Sequence, residues 1–444
     1  MIHISTSFAL LVVAIIILVC IAGSRLSGRL GVPTLFIFIM LGMLFGSDGI
    51  FKIPFGNFAL AEQVCSVALI FIMFYGGFGT RWSEAKPVAG RSILLSSAGV
   101  VLTAFLTGLF CHLVLKMALM EGMLLGAVLG STDAASVFSI LRSRKLNLKY
   151  GTASMLELES GSNDPFAYMM TVILLSAMTG SVSGGSAVLL LIRQLAFGLL
   201  TGAAVAWLVT WLLKRYAFYG EGFDTIFVFA AAIISYALAS QIGGNGYLSV
   251  YLTGIILGNQ ELKNQKALVG FFDAFTGMMQ MLLFFLLGLL AFPSQMPSIV
   301  LPAIAIALFL TFVARPAAVG LLLAPSKPPI GQYLVISWAG LRGAASIVFA
   351  IMATLNEGYM KSDIFHIVFC VVLFSIIFQG SLLPKVAEKC DMIDNSTDVM
   401  RTFSDYTGDM QIQFVQLPIG DNHPWKNRKI CEIEMLPGML ITVI

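Results

Sequence analysis

The stretch Glu159-Ser160-Gly161-Ser162-Asn163-Asp164-Pro165 spaces two pairs of oxygen-bearing side chains four residues apart. Glu159 with Asn163, and Ser160 with Asp164, therefore fall on neighbouring stripes of one helical face and offer carboxylate, amide and hydroxyl oxygens. Hard alkali cations bind such oxygens and not nitrogen or sulfur. Gly130-Ser131-Thr132-Asp133 sets a second carboxylate among small residues, and Ala339-Gly340-Leu341-Arg342-Gly343-Ala344-Ala345-Ser346 sets a base among them. All three stretches interrupt runs apolar enough to cross a bilayer, where an ionisable side chain costs several kcal/mol. Asp164 falls near the middle of its run. Loss of water there penalises the charged carboxylate, so it can hold a proton and release it when a cation arrives. A single carboxylate that takes either ion but not both is already an exchange device. Pro165 leaves a carbonyl of the preceding turn unpaired, as a further ligand or a kink. Glu157, two residues from Glu159, lies on another face and either joins the path or pairs with a base of the inner loops.

The runs that must carry these residues define the fold class. Of the 444 residues, 58% are hydrophobic and 11% charged, at a mean hydropathy of +0.92, against about 25% charged in soluble chains. An all-α polytopic membrane protein is expected. Apolar runs of spanning length lie at 4–24, 32–47, 60–80, 92–116, 120–141, 152–179, 187–213, 222–241, 246–260, 272–292, 297–320, 330–354 and 362–383, thirteen in all. The first reads as a retained span with its N-terminus outside, because Arg25 and Arg29 follow the run and no base precedes it. In that orientation the inner loops collect most of the Lys and Arg, among them Arg81, Arg142, Arg144, Lys214, Lys263 and Arg315. The outer loops hold Lys52, Lys116 and Lys361. This asymmetry fits the positive-inside rule and puts the C-terminus inside.

Spans 1–6 and 8–13 are then related in opposite orientation, with the seventh as connector, the build of inverted-repeat transporters. The fifth span carries Gly130 to Asp133, and its counterpart, the twelfth, carries Ala339 to Ser346. Two broken helices are expected there, crossing near the membrane centre, where unpaired backbone survives only against protein or a cavity. Small residues also serve close helix packing, but packing does not explain Asp133 and Arg342. Arg342 is expected to neutralise a core acid or the carbonyl end of the broken fifth span.

Other polar residues read as supporting. Glu62 and Asp48 are expected near the outer surface, Asp224 and Asp273 at helix N-termini on the inner side, and His112 and His366 away from the centre. Cys20, Cys65, Cys111, Cys370, Cys390 and Cys431 show no C-x-x-C spacing, which leaves reduced thiols rather than a zinc site or a disulfide framework. No G-x-x-x-x-G-K-[ST] occurs, so ATP drive is not indicated. No cofactor and no nucleic-acid partner is expected; the partners are monovalent cations, protons and lipids.

After a membrane domain at 1–390, a polar linker is expected at 391–409 and a separate α/β element at 410–444. Gln411 to Leu417 alternates like a strand, Asp421 to Trp425 supplies a turn, and Leu440 to Ile444 reads as a second strand. Two strands do not stand alone, so this element is expected to be part of a longer module or to pack on a partner.

Gly130 to Phe138, Glu159 to Pro165 and Trp338 to Ala344 resemble, in order and spacing, the monovalent cation/proton antiporters of the NhaP type. The resemblance covers residues 1 to about 390 on three separate spans. It implies the thirteen-helix antiporter fold, a core domain rocking against a dimerisation domain, and a homodimer in the inner membrane. It further implies a cation site at Thr132 and Asp133, Ser160 and Asp164 as direct ligands, Asp164 as the carboxylate that alternates between proton and cation, Asn163 and Glu159 as its structural partners, and Arg342 as the core arginine. An Asn-Asp pair resembles the electroneutral branch, one cation for one proton. Tyr75 stands where relatives usually carry an acid, which weakens any acidic role there and bears on affinity or selectivity. The tail resembles the first half of an RCK C-terminal domain, a regulatory, ligand-binding module of potassium/proton antiporters, and tilts the cation towards K+. Two other readings stay open: a cation channel of related architecture, and an intramembrane aspartyl protease with Asp133 and Asp164 as its dyad.

Overall fold

The computed structural model describes residues 6–30, 33–144, 146–181, 184–215, 221–262, 264–356 and 361–394. Helices α1 (Thr6–Leu30), α2 (Thr34–Phe45) and α3 (Phe58–Gly79) are followed by the single turn α4 (Trp82–Ala85). A π-turn over Leu95–Gly99 joins α5 (Ala89–Leu94) to α6 (Val100–Leu113). Then come α7 (Leu119–Val128), α8 (Ala134–Ser143), α9 (Thr152–Met178), α10 (Gly184–Arg215), α11 (Glu221–Gln241), α12 (Gly246–Gly258) and α13 (Gln265–Leu290). A second π-turn, Leu310–Ala314, joins α14 (Met296–Phe309) to α15 (Arg315–Leu323), and α16 (Ile330–Trp338) and α17 (Ala344–Thr354) follow. A third, Ser375–Gly380, joins α18 (Ile364–Phe374) to α19 (Ser381–Lys389). An isolated bridge between Leu148 and Ile393 is the β-type pairing among the described residues.

Eight of these helical runs are long and apolar enough to cross a bilayer, and α2, α7, α12 and α17 are shorter apolar helices. Large apolar side chains such as Leu10 and Leu18 of α1 and Leu189, Leu200 and Trp207 of α10 face outward, which suits lipid and not water. The chain is a multi-pass membrane protein. The expected runs 120–141 and 330–354 each form two helices, interrupted over residues 129–133 and 339–343. The linker from 395 and the element at 410–444 lie outside the described residues, as does Cys431. Cys20, Cys65, Cys111, Cys370 and Cys390 are free thiols.

Small residues bring helices close where lipid supplies no hydrophobic drive between them. A Cβ on Gly254 of α12 would run into the Phe74 carbonyl of α3, and one on Gly288 of α13 into the Ile39 carbonyl of α2. Phe71 stacks on Phe229, and Phe275 meets both rings edge-on, so the three fill space between α3, α11 and α13.

Two sequence expectations are corrected. Arg315 does not sit in an inner loop: α14, its π-turn and α15 run on without a break, and Arg315 is 5% exposed. Asp273 does not open its helix, because the polar Gln265 and Lys266 are already helical and place it in the third turn of α13. Asp224 lies in the first turn of α11 as expected and accepts from Asn264 at 2.6 Å.

The ends carrying Asp48, Glu121 and Asp363 are tied by polar contacts. Buried Glu121 accepts from Lys361 N at 2.7 Å and Ser362 Oγ at 2.8 Å. Exposed Asp48 holds Ser294 through backbone and hydroxyl. Asp363 caps α18, and its Oδ2 lies 2.7 Å from His366 Nδ1, while His366 Nε2 accepts from Phe292 N at 3.1 Å. Burial pushes the Asp363 carboxyl up, but the bonds from His366 outweigh it and hold the group below the usual carboxylate range. His366 is thus a structural post.

Candidate cation site

The two interruptions meet. Gly130, Ser131, Thr132 and Asp133 are poor helix formers, and the chain leaves α7 there until Asp133 caps α8 by accepting from Ser136 N at 3.2 Å and Ser136 Oγ at 2.5 Å. The Asp133 amide donates to the Leu341 carbonyl in the other interruption at 2.7 Å. Gly343 makes this approach possible, since a Cβ there would collide with the Asp133 side chain.

Helix α9 lays its polar face against the first interruption. Ser160 Oγ donates to the Thr132 carbonyl at 2.6 Å, and Asn163 Nδ2 donates to Thr132 Oγ1 at 2.5 Å. Thr132 N donates in return to Asn163 Oδ1 at 3.3 Å. Ser131 Oγ donates to Asp164 Oδ1. Thr132, Ser160, Asn163 and Asp164 are 5%, 6%, 1% and 7% exposed, so hydroxyl, carbonyl, amide and carboxylate oxygens converge away from bulk solvent. That set suits an alkali cation.

Arg342 donates from Nη1 to the Ser131 carbonyl at 3.1 Å, so of its two expected roles it meets the carbonyl end of the broken span. Its backbone N is held by Ser375 Oγ at 3.0 Å, and Ser375 donates to Gln379 Oε1 at 2.5 Å. Both residues lie on the third π-turn, a feature often found at functional sites. Glu159 faces Arg315, Nη2 to Oε1 at 2.6 Å, with both side chains buried. The contact is end-on: Glu159 Oε2 and Arg315 Nε make no hydrogen bond among the described residues.

Arg315 is the residue that sequence reasoning missed. A base inside the apolar run 297–320 was itself a signal, as were Ser375 and Gln379 in an apolar stretch. Tyr75 donates to Asp273 Oδ1 at 3.1 Å, so a carboxylate from α13 stands beside α3 at the level where the resemblance led one to look for an acid.

A family model described as sodium/hydrogen exchanger, transmembrane, matches residues 14–389. The chain is 36% identical over 382 residues to the K(+)/H(+) antiporter NhaP of Alkalimonas amylolytica, covering 86% of this chain and 66% of that one. It is 36% identical over 381 residues to the K(+)/H(+) antiporter NhaP2 of Shewanella oneidensis, covering 85% and 66%. It therefore spans 66% of the length of these relatives. Among solved structures, that of the sodium proton antiporter MjNhaP1 from Methanocaldococcus jannaschii superposes with a TM-score of 0.76 at 23% identity, covering 86% of this chain and 99% of that one. This last likeness is one of fold.

Proposed function

The chain belongs to the sodium/hydrogen exchanger family, and on that premise we propose that it exchanges K+ or Na+ for H+ across the inner membrane by alternating access. The observation that carries the proposal is the buried Asp164 carboxylate of α9, which accepts from Ser131 of the interruption beside the bonded Thr132 and Ser160 oxygens. Asn163 orients Thr132, Arg342 neutralises the freed carbonyl, and Asp133 fixes the start of α8.

Charge accounting favours one cation for one proton. Arg315 pairs with Glu159, Arg342 bonds the Ser131 carbonyl, and Asp133 lies in that same interruption, so these four charges sum to zero and Asp164 is a further carboxylate at the site. The core is then neutral when Asp164 holds either a proton or a monovalent cation, and it carries an uncompensated charge when Asp164 holds neither. Exchange that never exposes the bare carboxylate to the low-dielectric interior is electroneutral. The names of the K(+)/H(+) relatives support K+ as the cation.

The proposal includes thirteen crossings, with α7–α8 and α16–α17 each counted as one, an N-terminus outside and inverted repeats. It includes a membrane domain at 1–390, a linker at 391–409, a partial RCK-like regulatory element at 410–444 and a homodimer. Against the protease reading, the Asp133 carboxylate is committed to Ser136 and that of Asp164 to Ser131. Proteoliposomes carrying a pH dye are expected to show proton flux that requires K+ or Na+ and saturates with it. Proton flux indifferent to cation would contradict antiport, and fast cation flux without proton movement would mark a channel.

A further inference from the structure

The first residues after α19 turn back onto the membrane domain. Leu148 and Ile393 face each other in the antiparallel bridge, with Lys149 N donating to the Met392 carbonyl and Asp394 N to the Asn147 carbonyl, both at 2.9 Å. Lys149 Nζ also reaches Asp391 Oδ1 at 2.9 Å, but the Asp391 side chain is almost wholly exposed, so this ion pair adds little. Met392 is the anchor. It is 1% exposed and belongs to one apolar cluster with Val137 and Leu141 of α8, Leu156 of α9 and Leu341 of the second interruption. Gly331 of α16 lets the segment come this close, since a Cβ there would strike the Cys390 carbonyl.

The bridged loop is the short connection between α8, which Asp133 caps, and α9, which carries Ser160, Asn163 and Asp164. Only Tyr150 and Gly151 separate Lys149 from α9, and both hold left-handed backbone, at φ of 60° and 63°. That narrow region leaves little slack to absorb a displacement. Thr152 Oγ1 donates to the Lys149 carbonyl at 2.6 Å and accepts from Gln332 Nε2 of α16 at 3.2 Å, which ties in the helix that leads to the second interruption. From Thr152 the helix runs unbroken to Ser160, about 12 Å at 1.5 Å per residue. We propose that Asp391–Asp394 is a strap that sets α9 against the start of α8, and that its hold fixes the affinity of the cation site. The inference rests on the exchange reading above and adds to it a positioning element that touches none of the cation oxygens. The bonds that align those oxygens, Ser160 Oγ to the Thr132 carbonyl and Asn163 Nδ2 to Thr132 Oγ1, cross from α9 to the segment that leads into α8. Releasing the strap lets the two sides shift and misplaces the ligands. Asp164 keeps its carboxylate, so the exchanging charge is untouched.

The test uses the whole chain with its six native cysteines replaced, reconstituted in liposomes. Leu148 and Ile393 exchange no hydrogen bonds with each other, the kind of antiparallel pair whose Cα atoms approach to about 4.5 Å, within disulfide range. Leu148→Cys with Ile393→Cys is therefore expected to cross-link on mild oxidation. Loss of free thiol reports that bond and needs no exchange, so failure of the pairing is distinguishable from failure of the exchange reading. Asp394→Pro removes the N–H that reaches Asn147, and Met392→Ala withdraws the anchor. Each is expected to raise the KM for K+ roughly tenfold at an unchanged limiting rate, about 1.4 kcal/mol of cation binding; the second serves should the first fold poorly. Adding the cysteine pair to either variant and oxidising it is expected to return the KM to the parental value, and reduction to raise it again. A general loss of structure would not follow the disulfide in this way. Cysteines that stay reduced, a KM unmoved by both releases, or a KM that oxidation fails to restore would overturn the proposal.

Discussion

Asp164→Asn is expected to abolish exchange, lowering cation-dependent proton flux by roughly a hundredfold or more, because an amide neither titrates nor carries charge. The side chain keeps its shape and can still accept the hydrogen bond from Ser131. It also removes the cost of desolvating a carboxylate, so the variant is expected to melt no lower than the parent. Ser160→Ala and Thr132→Val remove oxygens but not the exchanging charge; they are expected to raise the cation KM while leaving proton coupling intact. Flux in proteoliposomes with a melting curve on the same preparation separates these outcomes. An Asp164→Asn variant that exchanges at the parental rate would require another carboxylate to carry the ions.

The second large effect concerns stability. Glu159→Leu leaves Arg315 buried without its counter-charge, and Arg315→Leu does the same to Glu159. Breaking a buried pair in this way typically costs about 3–5 kcal/mol, whereas replacing both partners by apolar residues is often neutral or stabilising. Each single variant is therefore expected to yield little folded protein, and Glu159→Leu with Arg315→Leu to recover most of it. The measurement is the folded fraction after detergent extraction together with its melting temperature. Losses that simply add in the double variant would show that the two residues do not act as a pair. Because the double change removes one charge of each sign, the exchange stoichiometry is expected to stay one to one.

Much of the site was legible because polar and charged residues inside apolar runs are costly and therefore conspicuous. Thr132, Asp133, Ser160, Asn163, Asp164 and Arg342 were all found that way, and the structure brings them to one place. Gly130 to Asp133 and Ala339 to Gly343 marked the interruptions because small residues weaken a helix where no partner strand or loop can replace its bonds. Partners across helices were harder to read. Periodicity tells which face a residue is on, but not which helix meets that face, so Arg315 was assigned to a loop although it answers Glu159. The depth of Asp273 was misjudged for a related reason: hydropathy places the apolar part of a span, and the helix extends beyond it through Gln265 and Lys266. The π-turns left no sequence signal of their own.

The claim beneath the whole account is that cation and proton compete for one carboxylate. Initial rates of K+-dependent proton flux, measured over a range of K+ concentrations at a series of pH values, test it directly. Competition at Asp164 predicts that the apparent KM for K+ rises as pH falls, while the limiting rate at saturating K+ holds. A limiting rate that falls with acidity at an unchanged KM would place the proton on a separate group and contradict the account.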